Sequence, residues 1–273
     1  MCPIELSEQD LLNQAAWKTT AARDELDSNE LYSDPGERSA IESVRERVRG
    51  KPILDLGVGL GRTIRLLRPL TSDYRAIDYL PLMVKTCHER YPDACVDVGD
   101  ARELTGLPAG HFGLVQFSYN GIDAVAAADR KLVFRAVRRV LASGGVFLFS
   151  ALNLDGPGFR ERPWHAPRPQ TRDPLRYAVS VARAVRWMPR HLVNWRRLQT
   201  FNEHGPGYAV ATLSAHHWTI VAHYTTLERQ LDELEREGFS RDAAVYDNKS
   251  GARVRAGGDT SRFDWFHFVA ELA

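Results

Sequence analysis

The stretch Lys51-Pro-Ile-Leu-Asp-Leu-Gly-Val-Gly-Leu-Gly-Arg-Thr63 constrains the fold more than any other part of the chain. Ile53 to Leu56 is a short apolar run with β character, and it ends abruptly in glycines. Gly57, Gly59 and Gly61 alternate with Val58 and Leu60 before Arg62-Thr-Ile-Arg-Leu-Leu67 takes up a helical pattern. Glycine permits a tight turn there and lets the backbone approach a ligand closely. The helix that follows offers free N–H groups at its start. Asp55 sharpens the reading, because a carboxylate just ahead of the glycines offers nothing to a phosphate but suits a cationic or hydroxyl-bearing ligand. Arg62 follows Gly61, so the Gly-Lys-Ser/Thr ending of a nucleoside-triphosphate loop is missing.

The segments downstream repeat the strand–helix alternation of a parallel sheet. Asp73 to Asp78 reads as a second strand ending in an acid, 17 residues past Gly61. That is about the spacing that brings a carboxylate to ribose hydroxyls in nucleotide-binding α/β folds. Pro81 opens a helix to about Arg90, and Ala94 to Gly99 is a third strand followed by Asp100-Ala-Arg-Glu. Gly113 to Asn120 is the fourth strand, and its end brings Ser118, Tyr119 and Asn120 to the ligand crevice. Asp129 to Leu141 forms an amphipathic helix with Leu132, Val133, Ala136, Val137 and Val140 inward. Ser143-Gly-Gly145 ends it before a fifth strand, Val146 to Leu152.

With those residues in view, Asp55-Leu-Gly-Val-Gly-Leu-Gly61 resembles the first motif of class I S-adenosylmethionine-dependent methyltransferases. It departs from the common pattern at Val58, where most members carry Cys, Ala or Ser. The resemblance extends from Lys51 to Leu152 in the order of elements. It implies a Rossmann-like, doubly wound α/β fold with a mostly parallel seven-stranded sheet whose last strand is antiparallel. The implied cofactor is S-adenosyl-L-methionine, held by Asp55, Gly57, Gly59, Gly61, Asp78, Tyr79, Asp100, Ala101 and Ser118. Asp100 would meet the adenine amino group, and Tyr119 would set its ring near the sulfonium, a cation–π contact of about 1 kcal/mol.

Outside this core the chain divides into an N-terminal helical part (1–49), an insertion (153–215) and a C-terminal part of the sheet (216–273), around a cofactor-binding core (50–152). Ser7 can cap a helix carrying Leu11, Leu12, Ala15, Ala16 and Trp17 on one face. After Ser33-Asp-Pro-Gly36, a charged helix resumes with Ile41, Val44 and Val48 inward. Family members often use such helices as a lid, which makes Trp17 and Tyr32 candidate lid aromatics and Tyr32 a cofactor contact. Between Leu154 and Gln199 there are ten Arg, no Lys and three acids. Prolines make its first part a loop, and Pro174 to Met188 reads as a helix. Arginine without lysine favours forked recognition of carboxylate or phosphate, so an insertion that sets specificity for an anionic or polar acceptor is expected. The competing reading is a solvated face in a chain that uses Arg in place of Lys throughout.

Tyr208 to Leu213 and His216 to Thr225 read as strands, Thr226 to Gly238 as a helix, and Arg241 to Asp247 and Asp264 to Leu272 as the closing strands. The histidines show no metal-binding helical spacing with an acid, so no metal is expected. Asn120, His217 and Tyr224 are candidate general bases beside Tyr119, each also readable as an ordinary structural residue. Cys2, Cys87 and Cys95 are scattered without paired spacing, which suits a reducing cytoplasm. A net charge of +1 and the lack of a stacking groove point away from nucleic acid. No apolar run is long enough to span a bilayer. These features lead to the expectation of a cytoplasmic enzyme, without membrane or nucleic-acid partners, that methylates a small molecule by in-line transfer. Two rivals share the cofactor. One is a lyase or cyclase that releases methylthioadenosine and a small cyclic amino acid, and the other is a binding protein without turnover. The acceptor and the oligomeric state are left open.

Overall fold

Five short runs, apolar wherever both faces are covered, become the parallel heart of the sheet: β1 (Ile53–Leu56), β2 (Tyr74–Asp78), β3 (Cys95–Val98), β4 (Phe112–Phe117) and β5 (Leu141–Asn153). This is a computed structural model, and it describes residues 5–19, 27, 31–167 and 173–273. Cys2 and, within the proline-rich loop, Arg168, Pro169 and Arg172 lie outside the described residues. β4 is buried at every position, as expected of a central strand covered on both faces. β3 carries exposed Cys95, Asp97 and Val98 and lies at the edge.

Two later strands, β9 (Ala244–Asp247) and β11 (Trp265–Glu271), complete the expected seven. The order is β9-β11-β5-β4-β1-β2-β3. β11 runs antiparallel to both β5 and β9, and the others are parallel. A two-residue strand, β10 (Arg253–Val254), extends the β9 edge. Helices α2 (Pro35–Val48), α3 (Ile64–Leu67) and α4 (Pro81–Arg90) pack on one face through Ile41, Val44, Leu67 and Val84. Helices α5 (Arg130–Val140) and α7 (Leu227–Arg236) cover the other, where Phe134, Phe147, Phe149 and Phe239 meet. Helices on both faces are what a doubly wound sheet requires.

A second antiparallel set grows from the end of β5. It consists of β6 (Glu203–Gly205), β7 (Tyr208–Leu213) and β8 (Ile220–Thr225). Its link to the main sheet is two residue pairs, Leu152 with Tyr224 and Asn153 with Thr225. The strand expected from His216 starts later than the sequence pattern suggested. His216, His217 and Trp218 hold φ of 51°, 58° and 62°, a left-handed turn that no strand can contain.

α1 (Glu8–Trp17) also differs from expectation. Its buried residues are Gln9, Asp10, Asn13 and Ala16, while Leu11 is exposed. The reason lies in what it covers. Asn13 Nδ2 donates to the Val221 carbonyl at 2.8 Å and its Oδ1 accepts from the Val221 N–H at 3.0 Å, so the side chain acts as one more rung on β8. A third bond runs to the Ala124 carbonyl at 2.9 Å. Asn13→Ala leaves these buried groups unpaired, with an expected loss of about 1–3 kcal/mol. Hydrogen exchange should then accelerate in α1 before the core; equal protection of α1 in the variant would contradict this docking role. Finally, α6 (Pro174–Arg197) continues through Pro189, nine residues beyond the expected end.

Candidate functional site

The strand order reverses between β1 and β4, and there the carboxyl ends open into a cleft. Its walls include Gly57 and Gly59 after β1, Asp78 and Tyr79 after β2, and Asp100 and Ala101 after β3. Phe117, Ser118, Tyr119 and Gly121 supply the β4 side, and Asp10, Asn13, Gln14 and Trp17 of α1 form a cover. The space amounts to about 950 Å³ when its open, solvent-filled mouth is included.

Gly59 explains why glycine is needed. Its φ is +55°, and a Cβ there would project into open space rather than into protein. The Asp78 carboxylate accepts from the Gly59 N–H and the Leu80 N–H, both at 2.9 Å, so the acid holds the glycine turn in place. Burial raises its pKa from 3.8 to about 6, against the pull of those two N–H groups. Asp100 is gripped by Arg102, which donates to it at 2.7 Å and also to Asp10 at 3.0 Å and Asp129 at 2.8 Å. Burial opposes charge on Arg102, but Asp100 and Asp10 keep it protonated. One guanidinium therefore ties the cover helix to the floor of the cleft.

A second ionic cluster stands behind the glycine turn. Arg62 makes a forked pair with Glu37 of α2 at 2.6 and 2.8 Å and donates to Ser118 Oγ at 2.6 Å. Ser118 in turn donates to Glu37. Burial works against ionisation of Glu37, yet Arg62 and Ser118 hold its carboxyl down at about 2. Arg62 also lies over the Tyr119 ring, 5.4 Å from its centroid.

Residues 53–145 match a family model described as a methyltransferase domain. This core is similar to the class I S-adenosylmethionine-dependent methyltransferases. No curated protein sequence matches the chain. Among solved structures, a 1,6-didemethyltoxoflavin-N1-methyltransferase from Burkholderia thailandensis is similar with a TM-score of 0.60 and 10% identity, over 99% of this chain and 93% of that one. An S-adenosylmethionine-dependent methyltransferase from Clostridium acetobutylicum has a TM-score of 0.57 and 13% identity, over 93% and 100%. A glycopeptide N-methyltransferase has a TM-score of 0.53 and 16% identity, over 89% and 96%. Likeness at such low identity establishes the fold.

Not every residue expected at the site reaches the cleft. Asp55 is fully buried behind the glycine turn, where one oxygen accepts from Thr63 and from Tyr74 at 2.7 Å. Its other oxygen and the amide of its cross-strand neighbour Gln116 have no hydrogen-bond partner among the described residues. Burial lifts its pKa to about 6, with Thr63 and Tyr74 pulling the other way. Gly61 packs against Tyr91, which a Cβ would meet at 2.4 Å, so it serves the turn and is not on the cleft wall. Tyr32 is exposed off the wall and contributes its carbonyl to Arg62 at 2.9 Å.

His217 and Tyr224 are both away from the cleft walls. His217 bonds His191 of α6 at 3.0 Å. Tyr224 is 2% exposed and packs against Phe159, where burial pushes its hydroxyl pKa up. Neither is placed to take a proton from a group in this cleft. Asn120 sits between two wall residues with φ of 59°, its N–H bonded to Ser150 Oγ at 2.7 Å. Its amide oxygen is buried and unpartnered among the described residues.

Sequence reasoning did not reach Asp10, Arg102, Glu37 or Arg62. The available signal was a polar residue on a face that had to be buried: Asn13 lies four residues from Gln9, and Glu37 four from Ile41. Among the described residues, the Arg-rich insertion contributes none to the cleft wall.

Proposed function

We propose that this chain transfers the methyl group of S-adenosylmethionine to a small molecule carrying an N–H or O–H nucleophile. The observation that carries the reading is the cleft at the β1/β4 reversal, with glycine backbone, Asp78 and Asp100 on its walls and α1 over it. Asp78, fixed by two N–H groups, still has lone pairs for the ribose hydroxyls. Asp100 and the Ala101 backbone suit the adenine edge, while Gly57 and Gly59 leave room for close passage of the cofactor. The bound cofactor supplies a carbon made electrophilic by its sulfonium.

The chain's own part is to bind, orient and exclude water. Holding the nucleophile in line with the methyl carbon is worth several kcal/mol through proximity alone, on the order of 7–11 in favourable cases. Tyr119 offers a ring face toward positive charge, at about 1 kcal/mol. The Asn120 amide oxygen, buried beside the wall, has no partner among the described residues. Among the described residues the cleft wall carries no histidine, which favours a nucleophile activated by position over one deprotonated by imidazole.

The test is mass spectrometry of the purified chain with S-adenosylmethionine alone and then with cell extract. Adenosylhomocysteine appearing only with extract is the expected result. Catalytic release of methylthioadenosine from the cofactor alone would instead make the chain a lyase or cyclase, and tight binding with neither product would make it a sensor.

A further inference from the structure

We propose that the outward face of α6 docks this protein on an anionic lipid surface. α6 has no buried residue along its 24 positions. Hydrogen bonds tie its C-terminal half to the body, from His191 to His217 at 3.0 Å and from Asn194 to the His217 carbonyl at 2.9 Å. Leu175, Val179, Val185 and Val193 are 57–77% exposed, an arrangement that water alone does not favour.

The charge pattern decides what covers this face. Pro174–Arg197 contains six Arg and no acid, while the whole chain has a net charge of only +1. Arg176, Arg183, Arg190 and Arg197 recur every seventh residue, so they form one stripe along the helix. Leu175, Val179, Ala182, Pro189 and Val193 follow beside it at steps of three, four and seven. An aliphatic stripe flanked by arginines is the pattern of a helix lying in the plane of a membrane interface. Its arginines exclude a spanning role, and no helix among the described residues is long and apolar enough to cross a membrane.

Other occupants fit less well. Nucleic acid would match the arginines but leave the aliphatic side chains without partners, since base stacking needs aromatic rings. A second copy of α6 would set arginine stripes against each other with no acid in the helix to pair them. The insertion's arginines were expected to read an anionic acceptor. Among the described residues none of them lines the cleft, and an anionic headgroup surface engages those of α6 where they stand.

Sedimentation of the full chain with vesicles tests this directly. Binding to phosphatidylcholine vesicles containing phosphatidylglycerol, absent with phosphatidylcholine alone and weakened by salt, is expected. Each basic residue near such a surface is worth about a fivefold factor, so R176Q/R183Q/R190Q should weaken binding by about two orders of magnitude. V179S/V193S should weaken it as well, and both variants should keep the parent's cofactor affinity, which shows that they are folded. Equal partition to both vesicles, partition to neither, or full retention by the triple variant overturns the proposal. So does a preference for a DNA duplex, or a dimer in sedimentation velocity that V179S/V193S dissolves.

Discussion

Asp78→Ala is expected to weaken S-adenosylmethionine binding by roughly tenfold to several hundredfold, measured by calorimetry. Hydrogen bonds to a charged group are worth about 1.5–3 kcal/mol, and the carboxylate is assigned both a ligand role and the anchoring of the Gly59 N–H. The effect carries a pH signature. Burial raises the Asp78 pKa from 3.8 to about 6 in the ligand-free fold. A carboxyl raised in this way contributes stability that is present below about pH 4 and lost as pH rises through about 6. Binding runs in the opposite direction, because the ionised form is the better acceptor for hydroxyls. Affinity should therefore climb as pH rises through about 6, and Asp78→Asn should flatten that part of the profile. Asp55 also titrates near 6, so a profile unchanged in Asp78→Asn would move the dependence to Asp55 and remove Asp78 from the ribose.

The largest loss of stability is expected from Arg130→Met. Arg130 is 1% exposed and bonds Asp123 at 2.7 Å, Gln230 at 2.8 Å and Glu233 at 3.1 Å. Burial opposes its charge, and Glu233 and Asp123 restore it. Asp123 also accepts the Leu152 N–H at 2.6 Å, which pins the turn after β4 to the end of β5. Removing the guanidinium strands a buried carboxylate, with an expected destabilisation of about 3–5 kcal/mol in chemical denaturation. Because that turn follows Tyr119 and Asn120 directly, cofactor affinity should fall in the same variant. The double variant D123N/R130M should recover a substantial part of the stability. If it is no better than R130M alone, the stranded charge is not the cause.

The N-terminal helix shows how a correct element can be given the wrong face. Leu11, Leu12, Ala15, Ala16 and Trp17 supplied an apolar stripe, yet of these only Ala16 is fully buried, beside Gln9, Asp10 and Asn13, because α1 rests on a strand edge and an ion cluster. Helical periodicity records which residues are apolar, and it cannot record that the neighbouring surface is polar. The histidines illustrate a second limit. Alternation from His216 onward reads as a strand, but three successive left-handed residues turn the chain before β8 begins.

What the sequence determined by itself lies within short reach along the chain. Ile53 to Gly61 had to be a strand and a glycine turn, and Asp78 and Asp100 had to stand at the ends of the next two strands. In a parallel α/β sheet, strand ends converge on one edge, so local pattern alone delivers the glycine and carboxylate wall of the cleft. The tertiary structure decided what depends on partners distant in sequence. It turned Asp55 inward to Thr63 and Tyr74, joined Arg62 to Glu37, and let Arg102 clip α1 over the cleft. It also carried His217 and Tyr224 away from that cleft onto a branch of the sheet. An ion pair or a buried amide is fixed by which elements meet, and that meeting is written in no single stretch of the chain.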